Sequence, residues 1–253
     1  MPNGLKRKNN GFTLIELAVG LVILFLLAGL GFSLIRSASQ KTKVAVAKTY
    51  IAQFAMVIDG IRNDCGFYPP SENGNLESLT SAGPPSPKFR GWQGPYFKTL
   101  PRDPWRNDYF YLIQNGLVFG PQECRRQQRG GPYDETFVFD STATGNAGLI
   151  IENFLVASAR VWLNGMEIFH PNQFNPQVSH LEAAVTLLAR NSLRVWIPSN
   201  VQHSNYFLIS VTSPLSRKAS YILGSRGADK QPGGDGFAAD LVWLPGQATG
   251  SFR

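Results

Sequence analysis

The run from Phe12 to Ile35 constrains this chain more than any other stretch. It is uncharged except for Glu16, and Lys6, Arg7 and Lys8 lead into it. As a helix its roughly 24 residues reach about 36 Å at about 1.5 Å per residue, enough to span a hydrocarbon core of about 30 Å. The basic cluster holds its own side in the cytoplasm, so the C-terminal bulk faces outward. A secretory signal peptide has a shorter apolar core, about 7–15 residues, and ends it at a small-residue cleavage site. Here the Gly11-Phe12 junction lies before the apolar run instead. One carboxylate inside such a run is costly, about 2.5–3.5 kcal/mol at the centre of a membrane helix, unless it snorkels to the interface or gains a cation.

The stretch Gly11-Phe12-Thr13-Leu14-Ile15-Glu16 resembles the processing site of type IV pilins and type II secretion pseudopilins. The resemblance implies that a prepilin peptidase of the membrane cuts between Gly11 and Phe12 and methylates the new amino terminus on Phe12. Glu16 becomes the fifth mature residue. Its implied partner is the terminal amine of Phe12 on the neighbouring subunit, a charge pair favoured in low dielectric over two isolated charges. Glu16 then sets register in a filament rather than catalysing anything.

Beyond Arg36 the chain turns polar but keeps a helical period. Val44, Ala47, Ile51, Phe54, Ile58 and Ile61 recur three and four apart as one apolar stripe, with Lys41, Lys43, Lys48 and Gln53 on other faces. Asn63, Asp64, Gly66 and then Pro69-Pro70 stop the pattern, so one helix is predicted from about residue 13 to about 64. Its first half suits lipid or a filament core and its second half the flank of a globular head.

The following Pro-, Gly- and Ser-rich stretch reads as loops, with a short helix at Leu76–Leu79 and a strand over Tyr109–Ile113. It carries Tyr68-Pro69, Leu76-Glu77-Ser78-Leu79, Gly83-Pro84-Pro85, Gly94-Pro95-Tyr96, Leu100-Pro101 and Asp103-Pro104-Trp105. In these features it is similar to the major pseudopilin of type II secretion. Arg106 and Asp108 stand where that family usually has Gly and Pro. The family's closing segment is matched by Ser220–Trp243, displaced by about a hundred residues, and gives a strand at Ser220–Gly224, a loop over Gly227–Gly236 and a last strand at Leu241–Trp243.

In the family that loop holds calcium, a hard cation that takes carboxylate and backbone oxygens. The resemblance implies a ligand at Asp229 and a backbone carbonyl at Arg226, while two family ligand positions fall on Gly236 and Ala238, which have no side-chain oxygen. Asp235 lies one place off and Asp240 is close by. The alternative is a Gly-rich turn whose Asp residues cap backbone amides.

Between Asn115 and Ser220 the texture changes. A polar stretch over residues 122–135, expected to be exposed, precedes alternating runs such as "SARVWLNGMEIF", "SLRVWI" and "YFLISVT". Val161 and Leu163 fall on one face and Arg160 and Trp162 on the other. Asn164-Gly165 is a two-residue hairpin signal and Asn191-Ser192 a weaker one. About five to seven short strands imply a small antiparallel sandwich. Residues 142–212 resemble a small β module of bacterial surface and secreted proteins. Trp162 and Trp196 suit either a ligand platform or cross-strand packing. His170, His180 and His203 show no metal-ligand spacing and no nucleophile motif occurs, so no enzyme is expected. Cys65 and Cys124 lie outside the cytoplasm in this topology, where either a disulfide tethering the insert to the stem or two separate buried thiols is consistent.

The expected fold is α+β: a long N-terminal helix, half membrane and half periplasmic, packed on a small antiparallel sheet, with an inserted β-sandwich-like domain. The boundaries are a cleaved leader 1–11, a transmembrane helix 12–35, a pseudopilin head 36–115 and 216–253, and the insert 116–215. Charged residues are only 16% and the formal charge is +7. No basic stripe interleaved with aromatics points to nucleic acid. The expected role is a structural subunit of a type II secretion pseudopilus, single-pass in the bacterial inner membrane with its C-terminal domain in the periplasm. Its implied partners are copies of itself, other pseudopilins, the prepilin peptidase and the inner-membrane assembly platform. The alternative is a pilin-like subunit that displays the β insert as an adhesive or substrate-binding domain.

Overall fold

In the computed structural model the described residues are 14–71, 74–127 and 130–245; for 27–34 the backbone alone is described. One helix, α1 (Leu14–Cys65), runs for 52 residues. The chain divides into two compact units, Met1–Lys43 and Val44–Arg253.

In the first unit the helix presents large apolar side chains to its surroundings. Leu14 is 87% exposed and Phe25 75%, and Ile15, Leu17, Val22 and Leu24 are likewise open. An apolar band of this size marks a membrane or protein contact.

In the second unit α1 behaves differently. The stretch Ile35–Cys65, which begins in the first unit, has the length and apolar content of a membrane span, but from Ala47 on its stripe is committed elsewhere. Ala47, Ile51, Phe54, Ile58 and Ile61 are fully buried, packed with Leu79, Phe89, Tyr109, Tyr111, Tyr221 and Leu223. Each large side chain so buried contributes about 1.5–3 kcal/mol. The helix stops where the sequence says it must. Gly66 takes φ +80°, and its N–H reaches back to the Arg62 carbonyl at 2.8 Å, a left-handed cap.

Among the described residues eleven strands follow: β1 (Phe110–Asn115), β2 (Leu117–Arg125), β3 (Tyr133–Asp140), β4 (Gly145–Phe154), β5 (Arg160–Leu163), β6 (Met166–Phe169), β7 (His180–Leu187), β8 (Arg190–Ile197), β9 (Tyr206–Thr212), β10 (Ala219–Ser225) and β11 (Leu241–Trp243). They form three antiparallel sheets, ordered β1-β10-β11, β2-β9-β4-β7 and β3-β8-β5-β6. The two four-stranded sheets share one apolar core that includes Leu149, Ile151, Val161, Val195, Phe207 and Ile209.

The three-stranded sheet is covered on both faces. Tyr109, Tyr111, Tyr221 and Leu223 face the helix cluster. Phe110, Leu112, Ile222 and Val242 face a second cluster with Phe154, Tyr206 and Leu208. This is why β10 is buried at nearly every position and why both registers of the Tyr109–Ile113 alternation are apolar.

Several expectations need correction. The 3₁₀ turn falls at Glu77–Thr80 rather than Leu76–Leu79. The strands between β1 and β10 number eight, not five to seven. Asn164-Gly165 does make the β5–β6 turn, at φ +53° and +83°, the left-handed pair a type I′ hairpin needs. Asn191-Ser192 does not make a turn. Leu188-Ala189 connects β7 to β8, and Asn191 lies inside β8, closing that turn by accepting from the Leu188 N–H at 2.9 Å and donating to the Leu188 carbonyl at 2.7 Å. Residues 122–125, expected to be exposed, belong to β2 and are partly buried, Cys124 fully.

Candidate functional site

Gly11 and Phe12, the predicted cleavage and methylation positions, lie outside the described residues. Glu16 sits in the first turn of α1, exposed among Leu14, Ile15 and Leu17. The helix therefore offers a carboxylate within an apolar surface, at the end nearest the predicted cleavage position.

The loop between β10 and β11 is built from backbone bonds. The Ala228 N–H donates to the Phe237 carbonyl at 3.1 Å, and the Ala238 N–H to the Asp235 carbonyl at 3.0 Å. Gly233 and Asp240 exchange two bonds: the Asp240 N–H to the Gly233 carbonyl at 3.0 Å, and the Gly233 N–H to Asp240 Oδ2 at 2.8 Å. Gly234 is required here. It has φ +86°, and a Cβ on it would lie 2.4 Å from the Ala238 carbonyl oxygen.

The predicted calcium ligands are dispersed over this loop. Asp229 accepts from the Gln231 N–H at 3.0 Å, and Asp235 turns to His203, 3.2 Å away. Asp240 is buried, and its Oδ2 also accepts from the Tyr206 hydroxyl at 3.0 Å. The Arg226 side chain lies over the Phe110 and Phe154 rings, 5.2 and 5.7 Å from their centroids. Among the described residues no three His, Cys, Asp or Glu side chains come together as metal ligands. One carboxylate oxygen of the loop is left over: Asp240 Oδ1 is buried with no hydrogen-bond partner among the described residues. Burial pushes the Asp240 carboxyl up to about 6, against the pull of the Gly233 and Tyr206 bonds and the Arg226 charge. Burial, then the Asp240 charge, raises the Tyr206 hydroxyl and keeps it a donor.

Of the two arrangements open for Cys65 and Cys124, the structure has the separate free thiols, with Cys124 buried and Cys65 partly exposed. They belong to separate cores, Cys65 beside the helix cluster and Cys124 inside the sandwich cluster, and burial pushes the Cys124 thiol up. The histidines are held apart. His180 lies 2.9 Å from Glu152, His170 3.2 Å from Glu167 and His203 3.2 Å from Asp235. Trp162 sits beneath the Arg194 guanidinium, 5.2 Å from it, and Arg194 also pairs with Asp134 at 2.7 Å, the arrangement of a cross-strand ladder.

One node escaped the sequence reading. Asp103 is buried and accepts from the Trp105 N–H at 3.0 Å, the Asn107 N–H at 2.7 Å, the Asn107 side-chain amide at 3.1 Å and the Ser225 hydroxyl at 2.6 Å. It ties the 103–107 turn to the end of β10. Its only sequence signal is an Asp that opens a Pro-Trp turn. Within that turn Arg106 takes φ +70°, a left-handed conformation that costs a non-glycine residue about 1–2 kcal/mol. Arg106→Gly is therefore expected to stabilise the head by about 0.5–1 kcal/mol after the greater freedom of glycine in the unfolded chain is subtracted. A thermal melt checks it: a midpoint unchanged or lowered would show that Arg106 makes a compensating contact.

A family model described as type II secretion system protein G matches residues 34–118, and one described as the prokaryotic N-terminal methylation motif matches residues 6–32. The type II secretion system core protein G of Pseudomonas aeruginosa is 40% identical over 108 residues, 42% of this chain and 75% of that protein. The chain belongs to the type II secretion core protein G family. The core protein G of Vibrio cholerae is 38% identical over 42% of this chain and 72% of its own length, and that of Escherichia coli 36% identical over 40% and 70%. For the core protein G family, the match at residue 118 ends just inside β2. A β-glucosidase from Kluyveromyces marxianus aligns in structure with 46% of this chain and 18% of its own, at 11% identity and a TM-score of 0.28.

Proposed function

We propose that this core protein G is a structural subunit of a type II secretion pseudopilus, and that its β-rich segment is a domain inserted into a pilin-like head. The relative at 40% identity, together with the methylation motif on residues 6–32, carries the reading. The subunit waits in the inner membrane with its C-terminal part in the periplasm. It is cut between Gly11 and Phe12 by the prepilin peptidase and methylated on Phe12. It is then drawn by the assembly platform into a filament with its own copies and other pseudopilins. The apolar band of α1 from Leu14 to Leu26 exchanges lipid for neighbouring helices, and Glu16 pairs with the Phe12 amine of the next subunit. The leader is 1–11, the membrane helix 12–35, the head 36–115 with 216–253, and the insert 116–215. The work is mechanical, driving folded proteins outward, and no catalytic role is assigned to it.

The test is to isolate the chain from cells with and without prepilin peptidase and to read its mass and amino terminus. The expected result is a mature chain starting at methylated Phe12 in the first and the full-length chain in the second. Full-length protein in both would end the reading.

A further inference from the structure

We propose that the cleft between the end of α1 and the β9–β10 turn docks an extended acidic stretch of a partner protein, one that also carries a large apolar side chain. The cleft holds about 890 Å³. Arg62, Phe67 and Lys88 line it from the end of α1 and the stretch after it, and Arg217 and Lys218 from the turn. Glu152 of β4 is the one carboxylate among its described lining residues, and His180 holds it at 2.9 Å. Glu72 lies in sequence between the lining Ser71 and Gly74, outside the described residues; counting it still leaves four cations to two carboxylates. Asp59 acts on Arg62 from outside the cleft. Among the described residues no carboxylate lies within 4.0 Å of Lys88, Arg217 or Lys218. These charges stand on ordered supports. Lys88 lies over the Phe67 and Phe89 rings, 5.0 and 5.5 Å from their centroids. The turn is pinned to the start of β2: the Ser216 hydroxyl donates to the Leu117 carbonyl at 2.7 Å, and the Leu117 N–H to the Lys218 carbonyl at 2.8 Å. Order before binding reduces the entropy lost on docking, and unpaired like charges select an acidic chain. Phe67, 48% exposed, adds an apolar wall that suits a peptide side chain rather than a sulfated sugar. Position disfavours lipid headgroups: Arg62 lies roughly 18 residues past Val44, about 27 Å along the helix from where the chain enters this unit. A second copy brings little free acid, since the chain has 24 Lys and Arg to 17 Asp and Glu, and Glu123, Asp134 and Glu167 are already paired.

The proposal goes beyond the filament reading and does not need it, because its test reads binding by single subunits. Full-length protein in nonionic detergent is titrated into a fluorescein-labelled peptide in which Asp and Phe alternate, with empty micelles as the blank and anisotropy as the signal. The peptide is expected to bind, and to release at about 1 M salt. A peptide with Lys for Asp is expected not to bind, and one with Ser for Phe to bind several-fold more weakly. Arg217→Glu is expected to weaken binding about tenfold with an unchanged melting midpoint, since the side chain is exposed. Arg190→Glu makes the same charge change at an exposed position of β8 outside the cleft, and is expected to leave binding within about twofold. Equal losses in the two variants would overturn the proposal, because they would report net charge alone. So would a wild type that does not bind the Asp–Phe peptide, equal binding of the Asp–Ser peptide, or displacement by phosphatidylglycerol doped into the micelles at equal charge.

Discussion

Glu16→Gln is expected to reach the membrane at the wild-type level and to lose filament assembly, with subunit association weakened on the order of a hundredfold to a thousandfold. Removing one partner of a buried ion pair costs about 3–5 kcal/mol, chiefly because the other charge is left alone in low dielectric. In the proposed filament the abandoned charge is the Phe12 amine of the adjoining subunit. Glutamine has nearly the shape of glutamate, so the loss reads charge and not packing. Insertion itself is driven by the apolar surface around it, where Ile15 is 71% exposed and Leu24 64%. Neither depends on residue 16. The measurements are the yield of sheared filaments by electron microscopy and the amount of subunit in the membrane fraction. Filaments of normal yield and register from Glu16→Gln would remove the charge pair from the assembly mechanism.

Asp103→Ala is expected to destabilise the head by about 3–5 kcal/mol. Bonds to a charged group contribute about 1.5–3 kcal/mol each, and a buried donor left without a partner costs about 1–3 kcal/mol. The alanine variant strands the Trp105 and Asn107 amides and the Ser225 hydroxyl together. Asp103→Asn, which keeps an acceptor oxygen, is expected to lose about half as much. Urea titration of the full chain in detergent, followed by tryptophan fluorescence, gives both values. A loss below about 1 kcal/mol for Asp103→Ala would mean that Trp105 packing alone holds the turn.

The parts of this fold that follow local rules were readable from residues. The helix end was set by Gly66, the packed stripe by spacing from Ala47 to Ile61, and β11 by Leu241–Trp243, where expectation and structure coincide. What stayed hidden was chemistry between residues far apart in sequence. Tyr206 reads as one more apolar residue of "YFLISVT", and nothing local shows that its hydroxyl meets Asp240. Asp103 looks like a turn opener until Ser225 arrives across the fold. Asn191 carries turn chemistry, but spends it from inside a strand through its side chain. Cys124 sits in a polar stretch, yet its place in β2 opposite Phe207 of β9 puts it in the sandwich core.

The coverage of the three-stranded sheet on both faces has a bearing on how the chain folds. Strand β1 leaves the ribosome long before its partner β10, and Phe110 must wait for Gly224. Closing a loop of about a hundred residues costs roughly 2 kcal/mol more entropy than closing one of about ten. Once β2 has paired with β9, however, the exit and return points are already joined: the Ser213 N–H bonds the Gly116 carbonyl at 2.7 Å and the Leu117 N–H the Lys218 carbonyl at 2.8 Å. Folding of the β-rich segment therefore brings β1 and β10 together and lowers the entropy cost of closing the head. Until it does, the apolar faces of Phe110 and Tyr111 stay open to solvent.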